Sequence, residues 1–190
     1  MTFQLGRDEP TFSMDPSGKL IYTKNQQVLS GNLQTAPISD SDGARVAVSF
    51  KEIGSSELFA TSLVHSPNGR FVTVVGDGEY ITYTALAWRN KAFGNGLSFA
   101  WAPDSNTYAV LETKTRLKVY KSFKERSSPP MKGSGSWSMD SLFGGPLLAA
   151  KGPGYVIFWD WESGEIVRRI DVDAKNVSYL SFYFLLKLLK

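Results

Sequence analysis

The chain has 190 residues, no cysteine, a single histidine and a formal charge of +3. The absence of cysteine excludes disulfide frameworks, thiolate metal sites and thiol nucleophiles, and the small charge excludes nucleic-acid binding read from charge alone. The composition, 42% hydrophobic and 21% charged, is that of a globular protein, and no apolar run reaches the roughly 18 residues of a membrane span. Residues 1–10 lack the apolar core of a signal peptide, so the cytosol is the expected setting.

In chain order, short β-rich runs alternate with Gly, Pro, Asn, Asp and Ser, which predicts an all-β protein. Strands are expected at residues 19–23, 45–50, 71–75, 80–85, 107–112, 117–120, 147–150, 155–161 and 166–171. "SMDPSGKLIYT" (13–23), "VHSPNGRFVTVV" (64–75) and "AWAPDSNTYAVL" (100–111) each read as strand, tight turn, strand. Proline presets φ at the start of the turn, and Gly or Asn takes its left-handed position. "MDSLFGGPLLAA" (139–150) is a degenerate fourth copy with Gly144-Gly145-Pro146 as its turn.

Pro16, Pro67, Pro103 and Pro146 stand 51, 36 and 43 residues apart. A period of roughly 40 to 45 residues with four short strands per unit is the mark of a WD-type β-propeller blade. "VIFWDWESGEIVRRI" (156–170) supplies a third strand ending in Trp159-Asp160, a turn at Glu162-Ser163-Gly164 and a fourth strand. "LKVYKSFKE" (117–125) holds the same place one unit earlier, with Tyr120-Lys121 in place of the dipeptide.

Gly76-Asp77-Gly78 raises the alternative of a phosphate-binding glycine loop. Such a loop must open a helix so that the helix N-terminus faces the anion. Here it leads into Tyr80-Ile81-Thr82-Tyr83-Thr84, a β-rich strand, so the glycines predict a hairpin turn.

The candidate sites are few. His65 is the only histidine, so a Ser-His-Asp triad would have to pass through it; a structural hydrogen bond beside the Ser66-Pro67-Asn68-Gly69 turn is the expected role. Asp77, Glu79, Asp104, Asp160 and Glu162 recur because the blade recurs, and no spacing among them specifies a facing carboxylate pair. Basic residues gather at Arg89-Asn90-Lys91 and along residues 114–126, "KTRLKVYKSFKER". Strand alternation turns Leu117 and Val119 inward, and Phe123 with them, and the lysines outward, a solvated face or a contact with a neighbouring subunit. Trp88, Trp101, Trp137, Trp159 and Trp161 are expected between neighbouring sheets, and residues 127–137 as a flexible connection. No catalytic, cofactor-binding or metal residue is assigned.

"HSPNGRFVTVVGDGEYITYTALAWRNKAFGNGLSFAWAPDSNTYAV" (65–110) closely resembles the second WD-repeat propeller of the coatomer beta-prime subunits of the COPI coat. The shared features are the "PNGRF" turn, the "GDGEYI" strand, the "RNKAFG" exit and the "FAWAPDS" start of the next blade. The resemblance extends to residues 5–22, 50–59, 142–151 and 158–172. It implies a structural coat subunit acting at Golgi membranes in transport toward the endoplasmic reticulum and within the Golgi, cytoplasmic and peripheral on COPI-coated vesicles. It implies other coatomer subunits as partners, cargo and membrane contact through the assembled coat, and no nucleic acid, cofactor or small-molecule substrate. The family's groove for dilysine cargo signals lies mainly on its first propeller, and no residue here matches it.

At about 42 residues per blade the chain holds four to five blades, against the six to eight usual for closure. The expected organisation is therefore a partial propeller over residues 1–177 and a divergent hydrophobic tail, "SYLSFYFLLKLLK", over 178–190. The tail reads as an edge-covering strand or short helix, as a membrane-surface anchor carrying Lys187 and Lys190, or as an altered chain end. A WD-repeat scaffold of another complex and, more remotely, a propeller glycosidase or lyase are the competing functions.

Overall fold

The computed structural model describes residues 10–37, 43, 45–126 and 130–174. Among them are sixteen strands in four four-stranded antiparallel sheets, each built from strands consecutive in sequence. The first sheet holds β1 (Thr11–Met14), β2 (Lys19–Lys24), β3 (Gln27–Asn32) and β4 (Lys51–Ser55). The second holds β5 (Ser62–His65), β6 (Phe71–Gly76), β7 (Glu79–Thr84) and β8 (Asn90–Asn95). The third holds β9 (Ser98–Trp101), β10 (Thr107–Thr113), β11 (Arg116–Lys121) and β12 (Lys124–Glu125), and the fourth β13 (Ser141–Phe143), β14 (Leu148–Gly152), β15 (Tyr155–Trp159) and β16 (Ile166–Ile170). This is an incomplete β-propeller, as the repeat predicts. The expected tail at 178–190 lies outside the described residues.

The turns explain the meander. Asp15 Oδ1 accepts hydrogen bonds from Ser17 N, Ser17 Oγ and Lys19 N at 2.7–2.9 Å. Asp104 Oδ1 does the same for Asn106 N and Thr107 N at 3.0 and 2.8 Å. Gly18 and Gly69 take the left-handed position with φ of 79° and 68°. In the third unit that position falls on Ser105, φ 59°, and not on Asn106 as glycine-or-asparagine chemistry predicts. The Asp104 side chain holds the turn closed and so makes up for the less suited residue. Asp77 and Gly78, with φ of 55° and 78°, form the hairpin turn from β6 to β7, so the glycine motif is a turn and opens a strand.

Strand content departs from expectation in the first unit. Residues 45–50 form no strand, and the fourth strand is Lys51–Ser55. Gly31 gives the reason: a Cβ there would lie 2.7 Å from Val48 and 2.8 Å from Phe50, so this segment packs its side chains over β3. Phe50 also meets Tyr22 edge to face at 4.8 Å. The apolar residues that read as a strand are held by side-chain packing, without a ladder.

The chain divides into two compact units, residues 1–77 with 81–93, and residues 78–80 with 94–190. In the first, Ile21 and Val28 of the first sheet pack with Leu63, Val72, Val74, Ile81, Tyr83 and Trp88 of the second. Trp88 stacks on Tyr83 at 4.4 Å, donates Nε1–H to Ser55 O at 2.9 Å and presses on Gly54, where a Cβ would sit 2.7 Å from its ring.

In the second unit the third sheet has two unlike faces, as period-two alternation requires. Ala100, Ala109, Leu111 and Val119 pack against Met139, Leu142, Leu148, Ile157 and Trp159. The opposite face is an aromatic ladder: Tyr80 lies 5.5 Å from Phe99, Phe99 4.9 Å from Tyr108, and Tyr108 4.9 Å from Tyr120. Phe123 joins this ladder, 5.8 Å from Tyr108, because its φ of 65° places it in the β11–β12 turn and off the strand alternation that would send it inward with Leu117. Burial raises the Tyr108 phenol to about 12 and pushes Tyr80 up as well, so both stay neutral and pack as hydrophobes.

The described part of the 127–137 connection is anchored. Met131 is buried, Lys132 O accepts from Trp159 Nε1 at 2.9 Å, and Lys132 Nζ lies 2.8 Å from Glu165. Its Ser and Gly content reads as a linker, but Met131 and Trp137 bring apolar surface that the sheet edge buries.

Candidate functional site

Ser13, Asp15 and His65 come together at the junction of the first and second sheets. His65 is buried at the end of β5 and its neighbour across the junction is β1. Ser13 Oγ accepts from His65 N at 3.1 Å and lies 2.9 Å from His65 Nδ1. These are the residue types of a hydrolytic triad, but they are not wired as one. A triad needs a carboxylate on the second ring nitrogen to orient the imidazole. Here Nε2 is buried with no hydrogen-bond partner among the described residues, and Asp15 spends Oδ1 on its own turn.

The electrostatics agree with the geometry. Burial dominates and lowers His65 to about 4; Asp15 opposes the shift and Lys19 adds to it. A group that neutral near pH 7 is a weak base for activating a hydroxyl. Burial raises the Asp15 carboxyl, but the hydrogen bonds from Ser17 and Lys19 outweigh it, so the net shift is downward and the group stays ionised.

These shifts predict a pH dependence. The folded His65 resists a proton that the unfolded chain accepts below about 6.5, so stability is constant above that value and falls as pH drops toward 4. The His65 contribution is at most about 3 kcal/mol. Urea midpoints measured from pH 7.5 to 4.5 in a soluble, family-length background should decline with the native His65 and flatten in His65→Gln; equal slopes would refute the assignment.

A similar junction recurs in the second unit. Leu142 N donates to Ser98 Oγ at 2.9 Å, so a serine on the first strand of one sheet again accepts a backbone N–H from the first strand of the next. Trp161 Nε1 donates to Gly145 O at 2.7 Å, and Arg126 reaches Trp161 O at 2.8 Å and Glu162 O at 3.1 Å. A Cβ on Gly144 would lie 2.1 Å from Trp101 O, which is why the degenerate turn carries glycine. Of the tryptophans expected between sheets, Trp88 packs with residues of the first and second sheets and Trp159 and Trp161 with those of the third and fourth, whereas Trp137 is only partly buried and belongs to the connection.

The acidic residues take separate structural roles. Asp77 Oδ2 accepts from Phe59 N at 3.1 Å, and Asp160 Oδ1 accepts from Ser163 N, Ser163 Oγ and Glu162 N. Those hydrogen bonds, Ser163 foremost, lower the Asp160 carboxyl. Glu162 pairs with Lys121 at 3.7 Å, and Glu79 is exposed at the start of β7.

Residues 114–126 are basic in sequence and largely neutralised in space. Glu112 pairs with Arg116 at 2.9 Å and Lys118 at 3.0 Å, Glu125 with Lys118 at 3.5 Å, and Asp140 with Lys114 at 3.4 Å. Leu117 and Val119 face inward as alternation requires. Glu112 and Glu125 flank or interrupt the basic run already in the sequence, whereas Asp140 reaches Lys114 only through the fold.

Comparison with known proteins supplies the family. A family profile described as COPA/B second beta-propeller matches residues 25–182. A probable coatomer subunit beta' of Schizosaccharomyces pombe is 46% identical over 179 residues, 93% of this chain and 22% of the relative. One of Caenorhabditis elegans is 45% identical over 181 residues, 93% of this chain and 18% of the relative. The coatomer subunit beta' of Homo sapiens is 42% identical over 175 residues, 92% of this chain and 19% of the relative. The chain thus spans about a fifth of the length of the curated relatives it matches. Identity at this level along nearly the whole chain, over sheets repeated in propeller fashion, means that the chain belongs to the COPA/B second beta-propeller family.

Proposed function

We propose that this chain serves as a structural, non-catalytic part of a COPI vesicle coat, cytoplasmic and peripheral on Golgi membranes, in transport between Golgi and endoplasmic reticulum and within the Golgi. The observation that carries the reading is the 42–46% identity to coatomer beta-prime subunits over 92–93% of the chain. Residues 1–177 act as the propeller portion and 178–190 as a separate tail. Stiff sheets hold loops and edges for other coatomer subunits, and many weak copies add up through multivalent assembly on a membrane. Cargo and membrane are reached through the assembled coat, with no nucleic acid and no small-molecule substrate.

Affinity purification of the natural gene product, followed by identification of what comes with it, tests the reading. Other coatomer subunits are expected; ribosomal, chromatin or ubiquitin-ligase components without them would reject it. Esterase, glycosidase and phosphatase substrates should show no turnover above background, and His65→Ala should act on stability alone. Turnover abolished by His65→Ala in a folded protein would contradict the non-catalytic role.

A further inference from the structure

Lys114, Arg116, Lys118 and Lys121 are each paired with a carboxylate, but Lys19 and Lys51 of the first sheet are not. Lys19 starts β2 and Lys51 starts β4, and neither has an ion pair among the described residues. Both line a cavity of about 380 Å³ together with Ser30, Asn32, Thr35 and Ser49. The register puts them there: Lys19 stands opposite Asn32, and Lys51 opposite Ser30. Ser30 and Asn32 are two residues apart on β3, so all four side chains belong to one face of the sheet.

The polar groups of this cavity are unevenly spent. Asn32 Oδ1 accepts from Gln34 N at 2.9 Å, and Asn32 O accepts from the Thr35 hydroxyl at 3.0 Å. The acceptors are therefore used, and the Asn32 amide N–H groups remain as donors. Lys19 Nζ gives one hydrogen to Ala85 O at 2.6 Å and keeps two. Among the described residues Lys51 Nζ has no side-chain partner, and the Ser30 and Ser49 hydroxyls add two more donors.

The carboxylates nearby do not neutralise this set. Asp15 is the acid that acts on Lys19, and its Oδ1 is committed to Ser17 and Lys19 N. Glu52 follows Lys51 on the strand, so it lies on the other face, where Gln27 Nε2 hydrogen-bonds to it. Burial lowers the Lys19 ammonium pKa; Asp15 opposes that shift without reversing it, and Lys51 adds a smaller lowering.

Two ammonium groups and several neutral donors around one space fit a dianion with three terminal oxygens better than a carboxylate with two. The volume exceeds that of inorganic phosphate and falls within the roughly 300–1,000 Å³ of small-ligand sites, so it leaves room for an organic body. We infer that the cavity between β2, β3 and β4 binds a phosphate monoester through Lys19, Lys51, Ser30, Ser49 and the Asn32 amide. The monoester comes either from a soluble metabolite or from a lipid headgroup exposing the same group. The inference is independent of coat assembly.

Equilibrium dialysis of the chain joined to the rest of a family-length polypeptide, against radiolabelled glycerol 3-phosphate, reads the soluble arm. Flotation with phosphatidylcholine vesicles, with and without phosphatidic acid, reads the lipid arm. Saturable binding in either arm is expected, weakened at least about tenfold by Lys51→Ala and largely kept by Lys51→Arg, since loss of one charge-assisted contact has about that effect. Lys51 is exposed, so its substitution leaves the fold intact, and Lys19→Met provides a second reading from the partly buried side. Binding in one arm only identifies the source. No saturable binding in either arm, or binding unchanged in both Lys51→Ala and Lys19→Met, overturns the inference.

Discussion

Expressed on its own, the 190-residue chain is expected to self-associate or aggregate, and to become compact and monodisperse when joined to the rest of a family-length polypeptide. Each blade of a propeller buries both sheet faces against neighbours, so an incomplete array leaves apolar faces open. The first sheet shows such a face. Phe12 and Met14, on the same side of β1, are 62% and 52% exposed. They stand opposite Tyr22 and Leu20 in the ladder. Contiguous apolar surface of this kind is uncommon on soluble monomers, and unpaired strand edges add a second route to association. Sedimentation velocity and thermal unfolding decide the matter. A monodisperse monomer with one sharp transition would show that the array caps itself and that the blade count is wrong.

The second large effect is expected at Trp159, the tryptophan of the Trp159-Asp160 dipeptide. Its side chain is fully buried among Met139, Leu148, Ile157 and Trp161, and its Nε1–H is bonded to Lys132 O at 2.9 Å. Trp159→Ala removes the ring, leaves a cavity and loses the hydrogen bond to Lys132 O, for a loss of about 3–5 kcal/mol. Trp159→Phe keeps most of the volume and loses the hydrogen bond, so its cost should be clearly smaller. Denaturant midpoints in a soluble, family-length background measure both. Equal losses would mean that the hydrogen bond to Lys132, and not packing, holds the third and fourth sheets to the connection between them.

Much of the fold was legible because it is local. The turns at Pro16, Pro67 and Pro103, the Asp77-Gly78 hairpin and the Gly164 turn, φ 69°, depend on residues within a few positions of one another. Their repetition predicted four-stranded units without any knowledge of how the units pack. Residues 45–50 failed the same reading because β-branched and aromatic residues mark both a ladder strand and a segment that packs by side chains alone; only the partner surface at Gly31 separates the two.

The candidate site followed the same division. Sequence determined that His65 was the sole imidazole, that thiols were absent and that basic residues gathered at 114–126. Tertiary structure alone decided what those groups do, because their partners are distant in sequence: Ser13 is 52 residues from His65, and Asp140 closes on Lys114 from the next sheet. Lys19 and Lys51 attracted no notice in the sequence, where each is an isolated lysine. Strand register brings them to one cavity, and charge acts through distance in space while sequence records only distance along the chain.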